Sequence, residues 1–216
     1  MRKEREPGFR FRAAGTLAGY PALAFPLTLA FLTALAFLLA LASSGCGGKG
    51  SEASRRTVDE ALAELEKARP LLEDLAELNA KMNELGKRFT NQKDTVAEGM
   101  SLVDLINERI EELMVILRTA QGLFENVASS ESGDLQRYAE MAGEAVGAQL
   151  EALETNQRLV RTLAEMLSLV EVAESEEQLL YYVDELERLA GELERQNDRA
   201  AQLAAEADAF HAEKKL

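Results

Sequence analysis

The chain has no tryptophan, one histidine (His211), one cysteine (Cys46) and only four prolines, three of them within the first 26 residues. A single thiol rules out an intrachain disulfide, so whatever folds here is held by packing alone. A lone histidine, set near the C-terminus beside Glu213 with no thiol to share a metal, reads as a surface residue, and no metal site is expected. The sequence carries no phosphate-binding loop, no serine or cysteine in a nucleophile motif and no paired-histidine motif. Catalytic residues and cofactors are therefore not expected, and enzymatic activity is not the reading. Beyond residue 26 the only proline is Pro70, so little interrupts long helices.

What is present begins with asymmetry. Residues 1–12 hold Arg2, Lys3, Arg5, Arg10 and Arg12 against Glu4 and Glu6, and residues 13–42 then form an apolar run broken only by Pro21 and Pro26. The run ends at Ser43-Ser44-Gly45-Cys46, followed by Gly47-Gly48. The leading 46 residues hold five of the 24 basic and two of the 38 acidic residues, which leaves 19 against 36, a net charge of −17. Such a domain repels nucleic acid and bare anionic surfaces. Its 170 residues suffice for one domain with a real core.

A basic start, an apolar stretch, small residues and then a cysteine resemble a bacterial lipoprotein precursor. The resemblance implies residues 1–45 as a signal peptide, cleavage between Gly45 and Cys46, and a diacylglyceryl (palmitate-type) anchor on Cys46 that holds the chain to membrane lipid. The position three before Cys46 is Ser43, where the family pattern has a leucine-like residue, and the nearest leucine is Leu41. Two other readings stay open. The run is long enough to remain as a single-pass membrane helix, and Ala40-Leu41-Ala42 fits a cleavage site that would release a soluble protein. All three place residues 47–216 outside the cytoplasm, and the lipid anchor puts them on the extracytoplasmic face of the bacterial cell membrane.

Residues 46–56 read as the modified cysteine plus a flexible glycine-rich tether, spanning roughly 15–30 Å, and residues 57–216 as an acidic helical domain. Thr57-Val58-Asp59-Glu60 has the form of a capping box. From there apolar residues recur every seven positions: Leu75, Met82, Phe89, Val96, Val103, Ile110, Leu117 and Phe124. A companion series includes Leu78, Leu85, Ile106, Leu113 and Val127, with Gln92 and Gly99 as its non-apolar members. That period belongs to long helices packed in coiled-coil fashion. Pro70 should kink the first helix without ending it, since Leu65 and Leu72 keep phase across it.

Breaks are predicted at Ser129-Ser130-Glu131-Ser132-Gly133-Asp134 and at the capping box Ser175-Glu176-Glu177-Gln178, where the apolar phase restarts. A third falls in the polar stretch Thr90-Asn91-Gln92-Lys93-Asp94-Thr95, although the heptad phase runs straight through it. The fold expected is all-α: an antiparallel four-helix bundle, with a three-helix arrangement containing one helix of about 70 residues as the alternative. Equal lengths of about 32–40 residues let every apolar stripe be buried, which favours four.

Two features invite a partner. Ala139, Gly143 and Gly147 form a small-residue row that lets another helix approach closely, most simply a helix of the same chain. Tyr181 and Tyr182 are adjacent, so one must face outward, and Tyr181 is the candidate partner contact. Phe89, Phe124, Tyr138 and Phe210 fall on apolar stripes and read as core.

The order of elements, with Glu77-Leu78-Asn79-Ala80-Lys81 continuing to Leu85-Gly86-Lys87-Arg88-Phe89 and a C-terminal helix bearing Asn197 and Phe210, is similar to the cell-wall-binding lipoprotein family of Gram-positive bacteria. That resemblance implies a cell-wall or ligand-binding role. The residues themselves favour a non-enzymatic helical scaffold of the cell envelope, with a protein partner or a second copy of the chain as its binding partner and no nucleic acid.

Overall fold

The computed structural model describes residues 51–87, 93–172 and 176–216. Five helices follow in order: α1 (Glu52–Glu66), α2 (Ala68–Lys87), α3 (Lys93–Ser130), α4 (Asp134–Val172) and α5 (Glu176–Lys214). No strand occurs among these residues. The first two helices form one rod, so the architecture is four rods packed side by side.

The rod of α1 and α2 is interrupted only at Lys67, whose N–H bonds the Glu64 carbonyl in the tighter manner of a frayed turn. Pro70 sits in the first turn of α2, where its missing N–H leaves the carbonyl four residues back without a helical donor. The stripe continues unbroken through Leu65 and Leu72, both buried. The helix is thus interrupted for one residue near the proline while its apolar stripe runs on.

Consecutive rods run in opposite directions. Arg109 pairs with Asp74 at 3.3 Å, while at the far end of α3 Glu131 meets Ser54 at 2.7 Å. Between α3 and α4, Arg118 lies 3.9 Å from Glu154. Between α4 and α5, Arg158 pairs with Glu192 at 2.8 Å and Glu151 with Arg199 at 3.3 Å, so one number rises as the other falls. Each rod packs along the next, and the first and last meet at few points. This is the antiparallel bundle of four; a single long helix spanning α2 and α3 is excluded, because the two run in opposite directions.

The core follows the heptads. Leu75, Met82, Val96, Val103, Ile110, Leu117 and Phe124 are all buried, as are Leu85, Ile106, Leu113 and Val127. Phe89 lies outside the described residues. Gly99 falls on the stripe where α3 is tightly packed: a Cβ there would stand 3.0 Å from Leu167 Cδ1, which would have to give way. Tyr138 is fully buried with its ring edge-on to Phe124 at 6.3 Å, and Phe210 packs partly buried under the Arg137 guanidinium.

Helix ends explain where the chain turns. The α3–α4 connection contains Gly133 at φ 81°, a conformation that costs a residue with a Cβ roughly 1 kcal/mol or more. The end of α5 is a Schellman motif: Lys215 adopts φ 52° and the Leu216 N–H bonds the His211 carbonyl at 3.3 Å. Leu216 then turns back into the core.

Two expectations need correction. The first helix starts at Glu52, not at the capping box of Thr57. Ser51 is the cap: its Oγ accepts from the Ser54 N–H at 3.1 Å, and Thr57 sits inside the helix with its hydroxyl donating to the Ala53 carbonyl. The stretch taken as the end of the tether is therefore ordered, because Ser51 and Ser54 find a partner in Glu131. His211, expected at the surface, is only 4% exposed. It lies on α5 in the stripe of Asn197 and Ala204, its ring 5.0 Å from that of Tyr138.

Candidate functional site

Cys46 and the Gly45–Cys46 bond, the residues on which an anchor would depend, lie outside the described residues, as does the apolar run. The structure describes instead the point at which the chain enters the bundle. The Ser51 hydroxyl donates to the Ser54 hydroxyl at 2.9 Å, and that hydroxyl donates to Glu131 Oε1 at 2.7 Å. The Ser51 N–H reaches the same oxygen at 3.2 Å. These bonds from Ser51 and Ser54 hold the Glu131 carboxyl below its ordinary pKa. Residue 51 is thereby clasped to the α3–α4 turn, at the end of the bundle where α5 also finishes.

The small-residue row faces inward. A Cβ on Gly143 would stand 3.6 Å from Phe124 Cβ, and one on Gly147 3.2 Å from Gln121 Nε2, while Ala139 is buried. The row lets α4 approach α3 closely. Its close contact is made within the chain.

Tyr181 stands 66% exposed near the start of α5, at the end of the bundle opposite Ser51. Its ring meets Tyr182 edge-on at 5.5 Å, and Tyr182 packs on the core. Leu180 beside it is also exposed. Elsewhere Leu105 and Val115 are exposed singly on α3, which is ordinary for a protein surface.

Along its outer face α4 lines a shallow open groove of about 450 Å³, bordered by Met114 and Arg118 of α3 and by Gln196 of α5. Two carboxylates and then two guanidinium groups of α4 line it: Glu151, Glu154, Arg158 and Arg161. Most are committed to each other or to neighbouring helices. Arg158 donates to Glu192 and to the buried Thr155 hydroxyl, both at 2.8 Å. The bonds from Arg158 and then Arg188 hold the Glu192 carboxyl below its ordinary pKa. The groove shows no desolvated pair of carboxylates and no nucleophile poised beside a base, the arrangements that acid–base or covalent chemistry needs.

Sequence reasoning missed the polar groups in the core. Gln149, Thr155, Asn156, Asn197 and His211 are buried. Burial pushes the His211 imidazole below its ordinary pKa, partly offset by Asp208. A signal for two of them existed: Gln149 and Asn156 continue the seven-residue series of Ala142 and Leu163.

Among the described residues no cluster of histidine, cysteine and carboxylates could hold a metal ion, and no helix is long and apolar enough to cross a membrane. The class defined so far is an acidic antiparallel four-helix bundle. Comparison with known protein families, curated proteins and solved structures finds no match to this chain.

Proposed function

We propose that this chain is a non-enzymatic lipoprotein of the bacterial envelope, anchored through Cys46 on the extracytoplasmic face, whose bundle serves as a scaffold and docking module for other proteins. The observation that carries the reading is the place of Cys46. It follows the apolar run after only three small residues and precedes by five residues the serine that caps the first helix. So short a link, clasped at Ser51 by Glu131, favours a bundle held end-on to the membrane. Three rods of about 38 residues then reach about 57 Å from it, at 1.5 Å per residue. Tyr181 and Leu180 would be presented near the outer end, suited to a protein partner. The net −17 and the lack of an aromatic platform weigh against direct adhesion to an anionic cell wall.

Intact mass of the protein extracted from membranes tests the anchor. The expected species begins at Cys46 and carries a diacylglyceryl group. A mass that retains residues 1–45 supports the single-pass helix, which the length of the apolar run favours as second reading. A species that begins at Ser43 without lipid would overturn both.

A further inference from the structure

Polar side chains inside an apolar seam are ordinarily bonded to partners. In the middle of this bundle they are not. Gln149 on α4 is 0% exposed and Asn197 on α5 is 1% exposed, yet neither atom of either amide has a hydrogen-bond partner within the protein. Asn156 Oδ1, also buried, has none either. The ion pairs Glu151–Arg199 and Arg158–Glu192 set the register of the two helices, so all three buried amides lie at nearly one level of the bundle. Beside them Ala148 and Ala200, with Ala201 and Leu203 packed on them, form a small cluster apart from the main core.

The two halves of α5 differ on either side of that level. Toward its start the buried residues are Leu186, Leu189 and Leu193; from Asn197 onward they are Ala200, Ala204, Ala207 and His211, with Leu203 and Phe210 partly buried and Leu216 buried just past the helix end. A buried alanine removes far less apolar surface from water than a leucine, so the stretch from Asn197 to Ala207 is held less firmly than the leucine layers before it. The ion pairs at this level are exposed or half-exposed and add little.

We propose that the Gln149–Asn156–Asn197 layer is a weak point at which residues 197–214 of α5 open from α4 while the leucine-bearing half stays docked. A buried asparagine can instead serve to fix register, but the reward then comes from polar groups that are satisfied when the helices are correctly aligned. Here the amides bond neither each other nor any neighbour, so they lower the stability of the seam without selecting an alignment. Local opening follows the density of buried apolar contacts, and between Asn197 and Ala207 the buried apolar residues are alanines alone. The inference does not depend on how the chain is anchored.

Amide hydrogen exchange on the full-length protein in detergent tests it, under conditions where exchange tracks the opening equilibrium. The control is residues 113–127 of α3, which lie toward the same end of the bundle. Residues 197–211 should exchange at least ~100-fold faster than that control. In Gln149→Leu/Asn197→Leu, removal of the unbonded amides should slow exchange in 197–211 by ~10-fold or more and leave 113–127 unchanged. Equal protection of the two segments in the native protein would overturn the proposal. So would a leucine pair that folds with native helicity but leaves 197–211 as fast as before. Should the leucine pair fail to fold, the native comparison decides alone.

Discussion

The ring of His211 lies 5.0 Å from that of Tyr138, tilted 54° to it, and the two join the end of α5 to the start of α4. Both side chains are buried, and His211 Nε2 has no hydrogen-bond partner in the protein. The contact suits a neutral imidazole.

Stability should therefore fall in mild acid. Burial lowers the folded pKa of His211 below the 6.5 of the free group, so the unfolded chain takes up the proton first. The contribution of the neutral ring is fully present above about pH 6.5 and is lost as pH drops from there toward the folded pKa. Denaturant midpoints at pH 7.5 and 5.5 should differ, and the difference should shrink in His211→Phe. An unchanged pH dependence in that variant would assign the effect to carboxylates instead.

The heptad core makes a sharper demand on α3. Leu113 is fully buried, whereas its neighbour Glu112 is exposed and bonded only to Arg109 at 2.8 Å. Leu113→Asp should cost at least ~3 kcal/mol, and Glu112→Ala less than ~0.5 kcal/mol. Thermal melts of the two variants should lie far apart.

Gly133 should resist substitution for a purely backbone reason. A Cβ there would meet nothing within 4 Å, yet φ is 81°. Gly133→Ala should thus cost about 1 kcal/mol, while Gly122→Ala, equally open in space but within α3, should stabilise by up to about 1 kcal/mol. Urea denaturation of both would check the contrast in sign.

The envelope reading predicts an absence of wall binding. Purified protein should remain in the supernatant when spun with peptidoglycan sacculi at ~0.15 M salt, where screening leaves short-range contacts intact. Saturable micromolar binding would instead promote the cell-wall role implied by the family resemblance.

Much of this fold was legible because heptads are local. Val103, Ile110 and Leu117 announce a buried stripe by spacing alone, and the serines around Gly133 announce a turn by chemistry. What escaped was set by tertiary pairing. Thr57 looks like a cap in sequence, but the helix is extended back to Ser51 by a carboxylate that lies 80 positions further along the chain. His211 stands one turn from a helix end, where a polar residue is usually solvated, and only the approach of Tyr138 encloses it. Gln149 and Asn156 sat in plain view on their stripe. A seven-residue period read for leucines passes over the positions where it is broken, and those positions mark the proposed weak point.

The clasp at Ser51 and the inward turn of Leu216 lie at the same end of the bundle. The polypeptide thus enters and leaves through one face, and the opposite face is reached only partway along the chain. A reporter appended after Leu216 would sit beside the entry point however long the helices are. One coupled at position 181 would sit nearly a full bundle length away. Resonance energy transfer from a dye at position 51 should be efficient to the first and weak to the second, which makes this chain a ruler with its zero and its tail at the same mark.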